Sequence, residues 1–260
     1  MSDVPASSPL KVWWDRDGAL LRLRLSRPKA NIVDAAMIGA LSAALTEHRD
    51  AQMMRGVLID HEGPHFSFGA SVEEHMPDRV AAMLATLHRL VLDLLAYPLP
   101  VMVAARGQCL GGGLEVATAG HMLFVHPDTR LGQPEIQLGV FPPAASCLLP
   151  EKMPLGAAED LLLSGRSIDG AEAARLGLAQ RASDDPESAA LAWFDQGPAR
   201  HSPAVLRLGT KAARLGLVDR VRDKLGALEE MYLSDLMRTH DANEGLTAFL
   251  EKRPATWEGR

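Results

Sequence analysis

Apolar and charged positions first fall into step near the amino end, where Leu21, Leu23 and Leu25 alternate with Arg22 and Arg24. A period of two predicts a strand with one polar face, and Asp17-Gly18 before it supplies the turn of a hairpin over residues 11–25. Arg27-Pro28 ends that strand. Asp34 then stands where a helix N-cap belongs, ahead of Met37, Ile38, Leu41 and Leu45 at helical spacing. The short apolar run Val57 to Ile59 predicts a buried strand, so the chain begins β-β-α-β.

A second helical stripe, Leu84, Leu87, Val91 and Leu94, follows a candidate N-cap at Asp78 and stops before Pro98 and Pro100. Val101 to Ala105 reads as a strand leading directly into Gly111 to Gly113. A short helix with Glu115, Val116 and Ala117 comes next, then a strand through Met122 to Val125. Ala157 to Leu163, Ala171 to Leu176 and Glu187 to Phe194 read as helices, and Ser202-Pro203 opens another with proline at its first position. No linker, repeat or low-complexity tract interrupts this order. The expected organisation is a loose tail at 1–9, one α/β core over 10–200 and a helical extension over 201–260.

With 260 residues, 47% of them hydrophobic, the chain can bury a sizeable core. Its net charge of -6, with lysines and arginines scattered, argues against a nucleic-acid partner. Two cysteines, Cys109 and Cys147, make neither a disulfide scaffold nor zinc spacing, which fits a reducing cytoplasm. The start carries no signal pattern. The greasiest stretch, Val80 to Leu95, is broken by His88, Arg89 and Asp93, so no membrane span is expected. His61, His65 and His75 cluster, and His121 and His126 lie five apart, yet neither set has the spacing of a metal motif. No metal is expected. Ser71 and Ser146 lack a nucleophile elbow.

The candidate chemistry is concentrated in two short passages, Gly111-Gly112-Gly113-Leu114-Glu115 and Gly132-Gln133-Pro134-Glu135. Glycines after a strand can turn backbone N–H groups of a helix N-terminus toward a developing oxyanion, with Gly112 as the candidate donor, or can simply let helix and strand pack closely. A second donor is available at Ala70, where Gly69 permits an unusual backbone angle in the loop Phe66-Ser67-Phe68-Gly69-Ala70-Ser71. Glu115 lies one turn into its helix, either on a solvent stripe or in an apolar pocket. In the pocket its pKa would rise, suiting it to act as acid and base. Glu135 has no charged sequence neighbour to pair with. Two carboxyls and two N–H donors together could add or remove water.

Arg27-Pro28-Lys29-Ala30-Asn31, Phe68-Gly69-Ala70, Gly111 to Glu115 and Gly132 to Glu135, in that order, resemble the enoyl-CoA hydratase/isomerase (crotonase) superfamily. Ser164-Gly165-Arg166 and Ala248 to Arg253 extend the resemblance over nearly the whole chain. It implies a spiral of β-β-α turns with C-terminal helices that build a homotrimer or a dimer of trimers. It also implies an acyl-CoA thioester substrate, no cofactor beyond that CoA, an oxyanion hole at Ala70 and Gly112, and Glu115 and Glu135 as the hydratase pair. Lys29 and Ala30 map to the CoA path, Ser67, Phe68, Ser71 and Val72 to the acyl-CoA site, and Phe249 with Lys252 to a neighbouring subunit's CoA. Ser71 stands where the family often has Asp, and Pro142-Pro143-Ala144-Ala145-Ser146 replaces a glycine-rich stretch. The stretch Phe66-Ser67-Phe68-Gly69-Ala70-Ser71-Val72-Glu73-Glu74-His75 together with Pro143-Ala144-Ala145-Ser146 resembles the family's dienoyl-CoA hydratases, whose substrate is cyclohexa-1,5-diene-1-carbonyl-CoA. Linear 2-enoyl-CoA hydratase, enoyl-CoA isomerase and a non-catalytic acyl-CoA-binding scaffold are the alternatives.

Overall fold

The computed structural model describes residues 8–260, so most of the tail expected at 1–9 lies outside the described residues. Pro9 is already tied down, its carbonyl accepting from Ser26 N–H at 2.7 Å. The chain then runs β1 (Leu10–Asp15), β2 (Leu20–Leu25), α1 (Ala35–His48), β3 (Gly56–His61), α2 (Val80–Leu95), β4 (Val101–Ala105), β5 (Gln108–Leu110) and α3 (Gly111–Ala119). It continues through β6 (Met122–Val125), β7 (Arg130–Gly132), α4 (Pro143–Lys152), α5 (Leu155–Ser164), β8 (Ser167–Ile168), α6 (Gly170–Arg175), β9 (Arg181–Ala182) and α7 (Pro186–Gln196). Three further helices close it: α8 (Pro203–Ala213), α9 (Leu217–Ser234) and α10 (His240–Leu250).

Two sheets organise these elements. The larger has the order β1-β2-β3-β4-β6-β9, antiparallel only at the β1–β2 hairpin, and the smaller has the order β5-β7-β8. Single parallel bridges, Val33 to Ala70 and Ser67 to Cys109, carry the second sheet's direction back along the chain. Each turn therefore lays one segment in each sheet before its helix, which makes a β-β-α spiral. The parallel strand β4 is covered on both sides and apolar throughout, whereas β3 is apolar from Gly56 to Ile59 and then carries the buried Asp60 and the half-buried His61.

Asp34 caps α1 as expected, its side chain accepting from Met37 N–H at 3.0 Å. Two expectations need correction. Asp78 caps nothing: α2 starts at Val80, after Arg79, without a side-chain cap. β4 does not lead directly into the glycines, because β5 intervenes and the glycines form the first turn of α3. The polar face expected on β2 is there, and it is covered by other parts of the chain. Arg22 is buried there, bonded to Asp15, to Asp60 on β3 and to Glu187 on α7, while Arg24 shares Asp60 and Glu187. A buried guanidinium is tolerated only when paired this way.

The C-terminal helices pack back on the core, α9 against α2 and α4, and α10 against a 3-10 turn at Pro134–Leu138. That turn carries Glu135. Among the described residues no helix is long and apolar enough to cross a membrane.

Candidate active site

The first turn of α3 is pressed onto the Phe66–Ala70 loop so tightly that side chains have no room. A methyl on Gly113 would sit 2.5 Å from Ser67 Cβ, and one on Gly112 would sit 3.0 Å from Ala70 Cβ and 3.1 Å from Ala70 N. Gly69, at φ +109°, makes the loop's approach possible. Close packing thus explains the glycines structurally, and it brings the Gly112 and Ala70 backbones together at a helix N-terminus. The N–H groups of a first helical turn have no partner within the helix, and neither Ala70 N–H nor Gly112 N–H has an acceptor among the described residues.

Glu115 is 3% exposed and points into the protein, not onto a solvent stripe. Its Oε1 accepts from Ala145 N–H of α4 at 2.8 Å. Burial nevertheless dominates, and pushes its pKa up. Glu135 reaches the same place from the 3-10 turn: its Oε1 lies 2.6 Å from where a methyl on Gly111 would be. Burial, and then the charge of Glu115, hold Glu135 well above the usual carboxylate range. Its missing charged partner is therefore the other glutamate. Two carboxyls that cannot both ionise cheaply form a pair that holds a proton near neutral pH, able to give one and take one.

Both glutamates, Ala70 and Gly112 line one cavity of about 410 Å³ whose remaining wall is mainly apolar, with Met83, Leu84, Leu87, Phe141, Leu246 and Phe249. A groove of about 510 Å³ adjoins it, sharing Phe68, Ala70, Val72 and Phe249 and adding Ala30 and Ser71. Of the residues expected to hold substrate, Ala30, Phe68, Ser71, Val72 and Phe249 thus lie along one continuous path. Phe249 borders this chain's own cavity. Ser67 is off the path, fully buried with its Oγ accepting from Gly69 N–H at 3.1 Å, so it shapes the loop. Lys29 and Lys252 are exposed and border neither space.

Three further residues, none of them given a site role by the sequence, stand at the site. Gln133 is fully buried, and with its amide turned to donate, its nitrogen lies 3.0 and 3.1 Å from the two Glu135 oxygens. Tyr232 of α9 packs edge-on to Phe141, with ring centroids 5.2 Å apart, and its hydroxyl is buried without a partner among the described residues. Burial first, then the two glutamates, raise its pKa. His75 lines the cavity. Gln133 lies within the singled-out Gly132–Glu135 passage and His75 within the histidine cluster, so both had a local signal; Tyr232 is brought in by tertiary contact alone.

Elsewhere His61, His65, His121 and His126 each accept a backbone N–H, which gives their rings local structural roles. Among the described residues no group of three or more His, Cys, Asp or Glu could hold a metal ion. Cys109 is buried, and burial raises its thiol far from the reactive range.

The enoyl-CoA hydratase/isomerase family model matches residues 15–260. The chain belongs to this family. It is 63% identical over 255 residues to the cyclohexa-1,5-dienecarbonyl-CoA hydratase of Thauera aromatica, covering 98% of this chain and 99% of that protein. It is 30% identical over 256 residues to the carnitinyl-CoA dehydratase of Proteus mirabilis (strain HI4320), covering 94% and 96%. The crystal structure of an enoyl-CoA hydratase from Mycobacterium avium superposes with a TM-score of 0.81 at 26% identity, over 96% of this chain and 99% of that one. The two-sheet spiral with its helical C-terminal region is thus the crotonase fold, as the sequence motifs implied.

Proposed function

We propose that the protein hydrates cyclohexa-1,5-diene-1-carbonyl-CoA to 6-hydroxycyclohex-1-ene-1-carbonyl-CoA. The observation that carries the reaction class is the convergence of two carboxyls, the buried Glu115 and the half-buried Glu135, on a mainly apolar cavity edged by the Ala70 and Gly112 backbones. The 63% identity to a hydratase named for this substrate supports the cyclic acyl group.

The thioester oxygen accepts from Ala70 N–H and Gly112 N–H, where the positive end of α3 also favours negative charge. Polarisation makes the carbon β to the carbonyl electrophilic. An ionised carboxylate takes a proton as water attacks that carbon, and the electrons pass into a dienolate spread over the thioester and the second double bond. The protonated member of the pair then delivers a proton to the far end of the dienolate, across the ring from the new hydroxyl, a net 1,4-addition of water. The proton-sharing pair suits this relay, and both roles belong to it jointly.

CoA would follow the groove past Ala30, Phe68, Ser71 and Val72, with Phe249 at the junction. The chemistry calls for no cofactor beyond the CoA of the substrate. Assembly as a homotrimer or a dimer of trimers and a cytoplasmic setting complete the proposal.

Mass spectrometry after incubation with cyclohexa-1,5-diene-1-carbonyl-CoA, beside crotonyl-CoA at equal concentration, tests this reading. Gain of one water by the cyclic ester in strong preference is expected. Preference for crotonyl-CoA would make the protein a linear 2-enoyl-CoA hydratase, and isomerisation without water gain would make it an isomerase.

A further inference from the structure

His75 closes a 3-10 turn at Glu73–His75, five residues beyond Ala70, and its ring lines the same cavity as the two glutamates. On that side the wall is otherwise apolar: Val72, then Met83, Leu84 and Leu87 of α2. The histidine's Nδ1 lies 2.7 Å from Ser71 O. A carbonyl oxygen can only accept, so Nδ1 carries the hydrogen and donates it. Burial lowers the pKa of the ring, so it is neutral at neutral pH. A neutral imidazole with its hydrogen on Nδ1 has a bare lone pair on Nε2, and the Nδ1 bond to Ser71 O is the one hydrogen bond of the ring among the described residues.

A lone acceptor on an apolar wall selects for a donor. The thioester oxygen and the glutamates are served from other sides of the cavity, and the ring carbons of a dienoyl group offer no strong donor. What does offer one is the O–H of the water being added, which becomes the hydroxyl of the product.

We propose that His75 Nε2 accepts a hydrogen bond from this O–H, making His75 a specificity-determining residue for the hydroxylated acyl group. This rests on the hydratase reading given above. The Ser71 carbonyl is the positioning partner that fixes the tautomer, and the ring's place next to α2 sets which face of the acyl group can carry the hydroxyl. Water held here loses one of its two hydrogens to the carboxylate and keeps the other directed at His75. An alkyl side chain at this position would leave that second O–H unpaired in an apolar cavity.

The test compares binding of two ring thioesters, cyclohexanecarbonyl-CoA and 2-hydroxycyclohexane-1-carbonyl-CoA, by calorimetry on the full chain. A Glu135→Gln background stops turnover during the titration, and persistent turnover in it would count against the hydratase reading and not against His75. With His75 present, the hydroxylated ester should bind about five- to tenfold more tightly, the worth of one hydrogen bond in a desolvated site. His75→Phe should abolish that preference while holding the affinity for cyclohexanecarbonyl-CoA within about twofold, and His75→Gln, which keeps an acceptor, should restore part of it. Retention of the preference in His75→Phe overturns the proposal. Equal weakening of both esters overturns it too, because it would mark His75 as packing alone.

Discussion

Replacing Glu115 by Gln should make the free protein more stable and the enzyme far slower, with the two effects separable by pH. Gln keeps the oxygen that accepts from Ala145 N–H and removes only the charge. The folded chain holds the Glu115 proton to about pH 7, where an unburied glutamate lets go at 4.5. Between those values the folded state binds more protons than the unfolded one, so stability is fullest below pH 4.5 and declines as pH rises through 7. A carboxyl displaced this far is disfavoured in its charged form by about 3 kcal/mol. Removal should therefore stabilise the unliganded protein by about 1–3 kcal/mol at pH 8 and by little near pH 4.5. It should also let Glu135 ionise more easily, since the Glu115 charge is part of what holds the Glu135 proton. Turnover should fall by about 10²–10⁴, the range of a lost general acid or base. Urea unfolding at pH 5 and pH 8, with steady-state hydration kinetics, measures both. A turnover within about tenfold of the parent, or a stability gain equal at the two pH values, refutes the reasoning.

Gly112→Ala should lower kcat/KM by about tenfold to a hundredfold with acyl-CoA affinity largely kept, because the methyl meets Ala70 and spreads the two N–H donors; steady-state kinetics and a binding titration check it. Gln133→Leu removes the amide donor to the Glu135 carboxylate, so the pH–rate profile should shift toward higher pH, and an unmoved profile refutes that role. Arg214→Met removes the guanidinium donors to Ala119 O and Gly120 O, leaving Gly120 O only Lys152, and should cost about 1–3 kcal/mol in urea unfolding at pH 7.

Where the sequence spoke through local pattern, it was legible. The hairpin, the Asp34 cap and the α1 stripe are properties of a few consecutive residues, and they stand as expected. β5 was not legible because three residues show no period, and α4 was hidden because it contains Pro150, which argues against a helix interior even though Pro143 suits its first position. Arg22 misled in another way. Alternation reveals that a face is polar but not what covers it, and Glu187 arrives there from 165 residues away. For Glu115 the choice between solvent and pocket was open because α4, which supplies Ala145 N–H, was itself unseen. The glycines and glutamates could be named from motif, whereas the tuning of the glutamates depends on tertiary neighbours that no spacing encodes.

The arrangement around α3 explains how a buried carboxyl pair is held at all. At its N-terminus the helix meets the Ala70 loop, and one turn in it places Glu115 in the cavity. At its other end Arg214 donates to Ala119 O and Gly120 O at 3.0 and 2.6 Å, and Lys152 donates to Gly120 O at 3.1 Å. No carboxylate lies within salt-bridge distance of either cation among the described residues, and burial lowers the pKa of both, Lys152 to about 7. Their anionic partner is the C-terminal end of the helix itself. The buried Arg214 with the half-buried Lys152 at one end, and the desolvated carboxyls near the other, are each destabilising alone. Joined through nine helical residues, they oppose one another in sign, and the helix is fixed at both ends against the shift that would misplace Gly112. Arg214 lies just beyond α8, so the C-terminal region that packs over the Glu135 turn also anchors the helix that carries Glu115. Formation of the site and docking of the C-terminal region are, on this argument, one event.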